Sequence, residues 1–252
     1  MKTGFLITAR LKSSRLPKKI LLEAAGKALL SHMLDRLKKA ERINRIVICT
    51  SINKQDDPLE ELANAEGISV YRGSEEDVLA RLYEAALRYD LDFFANITAD
   101  CPLIDPFFVD EVLREYEKTQ ADLVFFDKLP LGQGPSCIKR SALKKVCEIK
   151  IEEKTEVWRD YFVKPGCFTI HYPAVDKAFI HSTLKTSIDY PEDYEFIKEV
   201  FNSLYGNNRF FSLGDIIKLV NNKPELLRIN SHCAQKGRQH ILDTAKPATY
   251  SI

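Results

Sequence analysis

The sequence predicts an α/β fold: a mixed, mainly parallel sheet flanked by helices. Short continuous apolar runs, the mark of strands buried on both faces, alternate with longer runs of helical period as far as residue 130. That alternation builds right-handed βαβ units. The 252 residues, 45% of them apolar, are enough for one large domain with a sizeable core.

The elements follow in order. Residues 4–9 (GFLITA) read as the first buried strand. Residues 28–40 place Leu30, Met33, Leu34 and Leu37 on one helical face. Residues 45–51 (RIVICTS) are the second strand. Residues 57–67 form a helix with Pro58 near its start and Gly67 near its end. The third strand is 68–73 (ISVYRG), and the next helix opens with Ser74 and Asp77 in capping-box spacing. The fourth strand is FFANITAD, 93–100, followed by a helix over 105–119 and a fifth strand over 121–127. Beyond 130 the alternation breaks. A turn-rich loop and a helix occupy 128–146, and CFTIHYP (167–173) and LKTSID (184–189) read as strands. A late helix covers 190–206. Residues 212–230 read as a short helix, a Lys-Pro break and an extended tail.

Several classes are excluded by composition. The formal net charge is +1, so no global field draws the chain to nucleic acid or an anionic membrane. The 6 cysteines form no C-x-x-C pair and are scattered, which fits free thiols in a reducing cytoplasm. The opening MKTGFLITAR is too short in apolar length for a signal peptide, and no run is long enough to span a membrane.

In such a sheet the ligand site lies at the carboxyl ends of the strands. That rule selects Arg10 to Lys19, Thr50 to Asn53, Arg72 to Asp77, Thr98 to Asp105, and Asp189. The first loop, ITARLKSSRLPKKILL, clusters Arg10, Lys12, Arg15, Lys18 and Lys19, which suits a polyphosphate. It is neither a P-loop nor a G-x-G-x-x-G turn. Asp100 and Asp189 each end an apolar run, and folding would let them share one hard cation. Asp105, directly before Pro106, reads as a helix cap. The alternative is a solvated basic loop and ordinary turn carboxylates, and spacing leaves both readings open.

ARLKSSRLPKKILL, TADCPLID and SIDYPEDYE, in this order, resemble the signature of the CTP-dependent cytidylyltransferases. The likeness is nearest to the spore coat polysaccharide branch, with CMP-3-deoxy-manno-octulosonate and CMP-acylneuraminate synthetases as wider relatives. It extends over about 3–125 and 168–230. It implies a Rossmann-like nucleotidyltransferase fold over 1–230, with 128–185 as the variable acceptor or dimer region and 231–252 as a polar tail. It also implies Mg²⁺, CTP as co-substrate, release of pyrophosphate, and a cytoplasmic homodimer. Carried over by position, Arg10 and Lys19 would meet the triphosphate with Arg15 nearby. Asp100 and Asp189 would hold the metal. Ser51, Arg72, Ser74 and Asp77 would lie near the cytosine and ribose.

The expected reaction is transfer of CMP to an acidic ulosonic or nonulosonic sugar for surface glycan synthesis. The alternatives are a phosphonate or phosphorylated acceptor, a glycosyltransferase, and a non-catalytic nucleotide-binding module. Relatives commonly carry glycine where this chain has Lys12 and Lys18. No cysteine or histidine is nominated as catalytic. His171 and His181 read as surface or core residues, and Trp158, Arg159 and Tyr161 as either an acceptor or dimer surface or core packing.

Overall fold

Leu6, Ile7 and their neighbours form β1 (Thr3–Thr8), buried along nearly its whole length because a parallel strand is covered on both faces. The computed structural model describes residues 2–206, 208–244 and 247–251. A tight hairpin of β2 (Glu23–Ala24) and β3 (Lys27–Ala28) follows. Ala25 and Gly26 turn it, both at positive φ, as a two-residue hairpin turn requires. Then come α1 (Leu29–Leu37), β4 (Ile46–Ser51), α2 (Asp57–Ala65), β5 (Ser69–Gly73), α3 (Val78–Arg88), β6 (Phe93–Thr98) and α4 (Pro106–Thr119).

The next elements are β7 (Leu123–Phe125), β8 (Ser136–Lys139), α5 (Arg140–Ile149), α6 (Asp160–Val163) and β9 (Ile170–His171). The chain continues through α7 (Pro191–Leu204), α8 (Leu213–Asn222), α9 (Glu225–Asn230) and α10 (Cys233–Thr244). Past α10, Tyr250 forms an antiparallel bridge with Lys150.

The 7-stranded sheet runs β5-β4-β1-β6-β8-β7-β9. β5, β4, β1 and β6 are parallel, and only β8 runs against its neighbours. One core packs α1, α2, α4, α7 and α8 on one face. A second packs α3, α5 and α6 on the other, with Trp158, Tyr161 and Phe162 buried in it. The fold class is thus the mainly parallel α/β sheet expected.

Four expectations are corrected. Residues 184–189 are not a strand: Lys185 makes a single bridge to Leu131, and the backbone is held one bond at a time. Residues after the Lys-Pro break are not extended, because Pro224 sits at the start of α9, where its missing N–H does no harm. β8 lies inside the stretch read as a turn-rich loop. The helix expected from Ser74 begins at Val78, with Asp77 as its cap.

Candidate active site

From β1 the chain passes to β4 and β5 on one side, and β6 lies on the other. The crevice over β1 and β6 is therefore the topological switch point, where the loops after the two strands diverge and leave room for a ligand. Those loops carry Arg10 to Lys19 and Asp100. Buried Asp56 fixes the base of the first loop: its carboxylate accepts from Leu11 N at 2.7 Å and from Ser51 Oγ at 2.5 Å.

Asp189 arrives from far along the chain on the 184–189 strap. Thr186 N donates to Leu131 O at 2.7 Å and Ile188 N to Asp100 O at 2.8 Å. Gly132 (φ +95) makes this approach possible, since a Cβ there would meet Ser187 N at 2.6 Å. At the junction the Lys19 ammonium lies 2.7 Å from Asp100 Oδ2 and 3.2 Å from Asp189 Oδ1, and it also donates to the Ile188 carbonyl. Arg15 Nη2 adds a bond to Asp189 Oδ1 at 2.8 Å, and its guanidinium lies over the Tyr190 ring. Thr98 Oγ1 donates to Asp100 Oδ1 at 2.5 Å.

Burial opposes both charges at this junction, and pairing outweighs it. Desolvation would push the Asp189 carboxyl up, but Lys19, Lys185 and Arg15 bring it down to about 2. Desolvation likewise works against the Lys19 ammonium, and Asp100 and Asp189 raise its pKa nonetheless. The oxygen donors gathered around Lys19 are a hard set of the kind that could hold a cation such as Mg²⁺.

Behind Asp189 lies a support that sequence reasoning missed. Lys185, nearly fully buried, donates to Asp193 Oδ2 at 2.6 Å, to Ser187 O at 2.7 Å, and contacts Asp189 Oδ2 at 3.2 Å. The fully buried Asp193 carboxylate accepts the backbone N–H of Asp189 and Tyr190, and Asn230 Nδ2 bonds its other oxygen at 3.0 Å. The one readable signal was Lys185 itself, a lysine set among Leu184, Thr186 and Ile188.

The remaining nominated residues do not gather at the Lys19 junction. Arg10 pairs with Glu156 at 2.8 Å. Arg72 spans the Ser51 and Asn53 carbonyls and the Asp57 and Glu60 carboxylates. Ser51 is buried against Asp56. Ser74 Oγ accepts from Asp77 N, and Asp77 caps α3 while pairing with Lys150. Lys12 pairs with Glu75 and Glu76. Lys18 holds φ 54, a conformation that favours glycine. Asp105 caps α4 as expected.

Arg159 donates to Ser136 Oγ and Gly134 O and lies 4.8 Å over the Phe125 ring. Cys101 beside Asp100 is buried and its thiol pushed well up, so it is no thiolate nucleophile. No disulfide joins any of the 6 cysteines. His171 pairs with Glu115 away from the junction.

The profile of the cytidylyltransferase family matches residues 5–216. A solved cytidylyltransferase from Leptospira borgpetersenii is 29% identical and superposes with a TM-score of 0.82, covering 90% of this chain and 97% of that one. The spore coat polysaccharide biosynthesis protein SpsF of Bacillus subtilis is 27% identical over 88% of this chain and 95% of its own length. A 3-deoxy-manno-octulosonate cytidylyltransferase from Geobacter metallireducens is 33% identical over 45% of this chain and 44% of its own.

Proposed function

This chain belongs to the cytidylyltransferase family, and from that premise we propose that it transfers CMP from CTP to an acidic sugar, releasing pyrophosphate. The acceptor class is a ulosonic or nonulosonic acid destined for a surface glycan, in line with what two of its relatives are named for. The observation that carries the reading is the meeting of Asp100 and Asp189 around one cation, Lys19. In this reading the acceptor hydroxyl oxygen bonds to the α-phosphorus as the bond to the bridging oxygen of pyrophosphate breaks, and the hydroxyl proton passes to solvent water.

Such a transfer needs alignment and charge neutralisation more than covalent help from the protein. Lys19 and Arg10 turn from their carboxylates to the triphosphate and stabilise the charge on the leaving pyrophosphate, with Arg15 beside them. Ser51, Arg72, Ser74 and Asp77 border the cytosine and ribose. Asp100 and Asp189 would hold Mg²⁺, which supplies Lewis-acid polarisation of the α-phosphate when bound. Arg159 makes no ion pair among the described residues, which suits it to the charge of an anionic acceptor. We assign the enzyme to the cytoplasm as a homodimer. Among the described residues no helix is long and apolar enough to cross a membrane.

The test is pyrophosphate release from CTP and Mg²⁺ with a panel of ulosonic acids, phosphonates and sugar phosphates. Release with a ulosonic acid, yielding a product with one phosphate, is expected. Release only with phosphorylated acceptors would transfer the assignment to the CDP-linked product class. CTP binding without turnover on any acid would overturn it, and sedimentation checks the dimer.

A further inference from the structure

α7 opens directly after Asp189 and Tyr190, and α10 opens at Cys233. Where these two helix starts meet, Glu192, His232 and Cys233 each present one ligand atom, and the three atoms lie within 4.8 Å of one another. Among the described residues no other group of three or more His, Cys, Asp or Glu converges so closely. His232 Nε2 is 3.2 Å from Glu192 Oε1. A tetrahedral ion with bonds of about 2.0–2.3 Å keeps its ligands roughly 3.3–3.7 Å apart, so the longest edge has to close by only about 1 Å.

We infer that Glu192, His232 and Cys233 form a second cation site, one for a zinc-type ion, distinct from the hard oxygen pair of Asp100 and Asp189. A thiolate, an imidazole and a carboxylate are the donor mix of a borderline-soft cation, whereas Mg²⁺ prefers oxygen alone. Three protein ligands leave the fourth position to water. Cys233 is fully buried, and burial, with Asp193 and Glu192 nearby, holds its thiol up at about 11. The ion displaces that proton on binding, as thiol ligation always requires.

The surrounding charges permit this. Asp193 behind the site is already paired with Lys185. Lys236 lies 3.7 Å from Glu192 Oε1 and must yield it, but this contact is exposed and weak, and Lys236 already lies over the Tyr190 ring. Glu192 sits between Tyr190 and Asp193, so a bound ion ties α10 to the turn that carries Asp189. Its role is a brace, with no part in the chemistry.

The experiment is a cobalt titration of tag-free, chelator-stripped, full-length protein in excess Mg²⁺, which occupies oxygen sites. One Co²⁺ per chain is expected, with a thiolate-to-cobalt charge-transfer band that Zn²⁺ abolishes, and a raised thermal midpoint. Cys233→Ser is expected to lose the band. His232→Gln, on the exposed edge and so harmless to folding, is expected to weaken binding by more than an order of magnitude. A titration without the band overturns the site, and so does a band that survives Cys233→Ser or a His232→Gln protein that binds as tightly as the original.

Discussion

Lys185→Met measures how strongly the turn that carries Asp189 is braced. Lys185 is 3% exposed, and its ammonium lies 2.6 Å from the fully buried Asp193 carboxylate and 3.2 Å from Asp189. Removing one partner of a buried ion pair typically costs about 3–5 kcal/mol, mainly because the other charge is stranded. Here Asp193 keeps the Asp189 and Tyr190 N–H groups at 2.9 and 3.0 Å and the Asn230 amide at 3.0 Å. Charge-assisted bonds of that kind place the loss at the lower end, about 3 kcal/mol. In a chain of this size that lowers the thermal midpoint by about 6–12 °C. Chemical unfolding followed by circular dichroism gives the free energy. The double variant Lys185→Met/Asp193→Asn removes both charges and is expected to recover at least about 1 kcal/mol relative to the sum of the singles. A single-variant loss below about 1 kcal/mol, or strict additivity, would refute the idea that this pair braces the turn.

Lys19→Ala is expected to keep the fold and lower kcat by about 10²–10³-fold, the usual scale for losing a charge-stabilising donor. Mg²⁺ alone should then stabilise the variant more than wild type, since no ammonium has to leave the two carboxylates; equal thermal shifts would contradict that. Lys18→Gly removes a left-handed strain of about 1–2 kcal/mol and adds about 0.5–1 kcal/mol of unfolded-chain entropy. A net gain of about 0.5–1 kcal/mol in the denaturant midpoint is expected, and a loss would count against the strained turn. The Asp189 carboxyl is depressed from 3.8 to about 2. A depressed carboxyl contributes stability that is full above its unfolded pKa and lost as pH falls through the folded one, here between about pH 4 and 2. Roughly 2 kcal/mol should therefore separate the acid limbs of wild type and Asp189→Asn in unfolding curves from pH 5 to 2, and superimposable limbs would dismiss the linkage.

The strands of the parallel half were legible because Phe5, Leu6 and Ile7, or Val47, Ile48 and Cys49, are apolar on both faces. β8 was not, since four residues inside a Gly- and Pro-rich stretch carry no period of their own and pair only through β6 and β7. The strap at 184–189 has the alternation of a strand, but its polar positions serve the site instead of a ladder. Arg15, Lys19, Asp100 and Asp189 were readable as strand-end residues, and the fold brings these four together. Ser51 and Asp77 were readable as polar strand-end positions too, yet local spacing could not show that their bonds go to Asp56, Ala80 and Lys150. Asn230 had no signal, because its partners Lys185 and Asp193 lie 45 and 37 residues away.

Arg10, Lys12, Arg15 and Lys19 each face a carboxylate: Glu156, Glu75 with Glu76, Asp189, and Asp100 with Asp189. The cradle is therefore preloaded with counter-ions, like an exchanger in its salt form. It offers little net field for distant anions, so chloride or inorganic phosphate gains no advantage by approaching. Under the proposed function a nucleotide trades places with fixed carboxylates, and a trade favours the ligand that delivers many negative charges at once. Moderate salt, which ordinarily slows the capture of a polyphosphate, here also loosens the resident pairs. The association rate of CTP should accordingly vary far less with ionic strength than the loop's string of basic residues suggests.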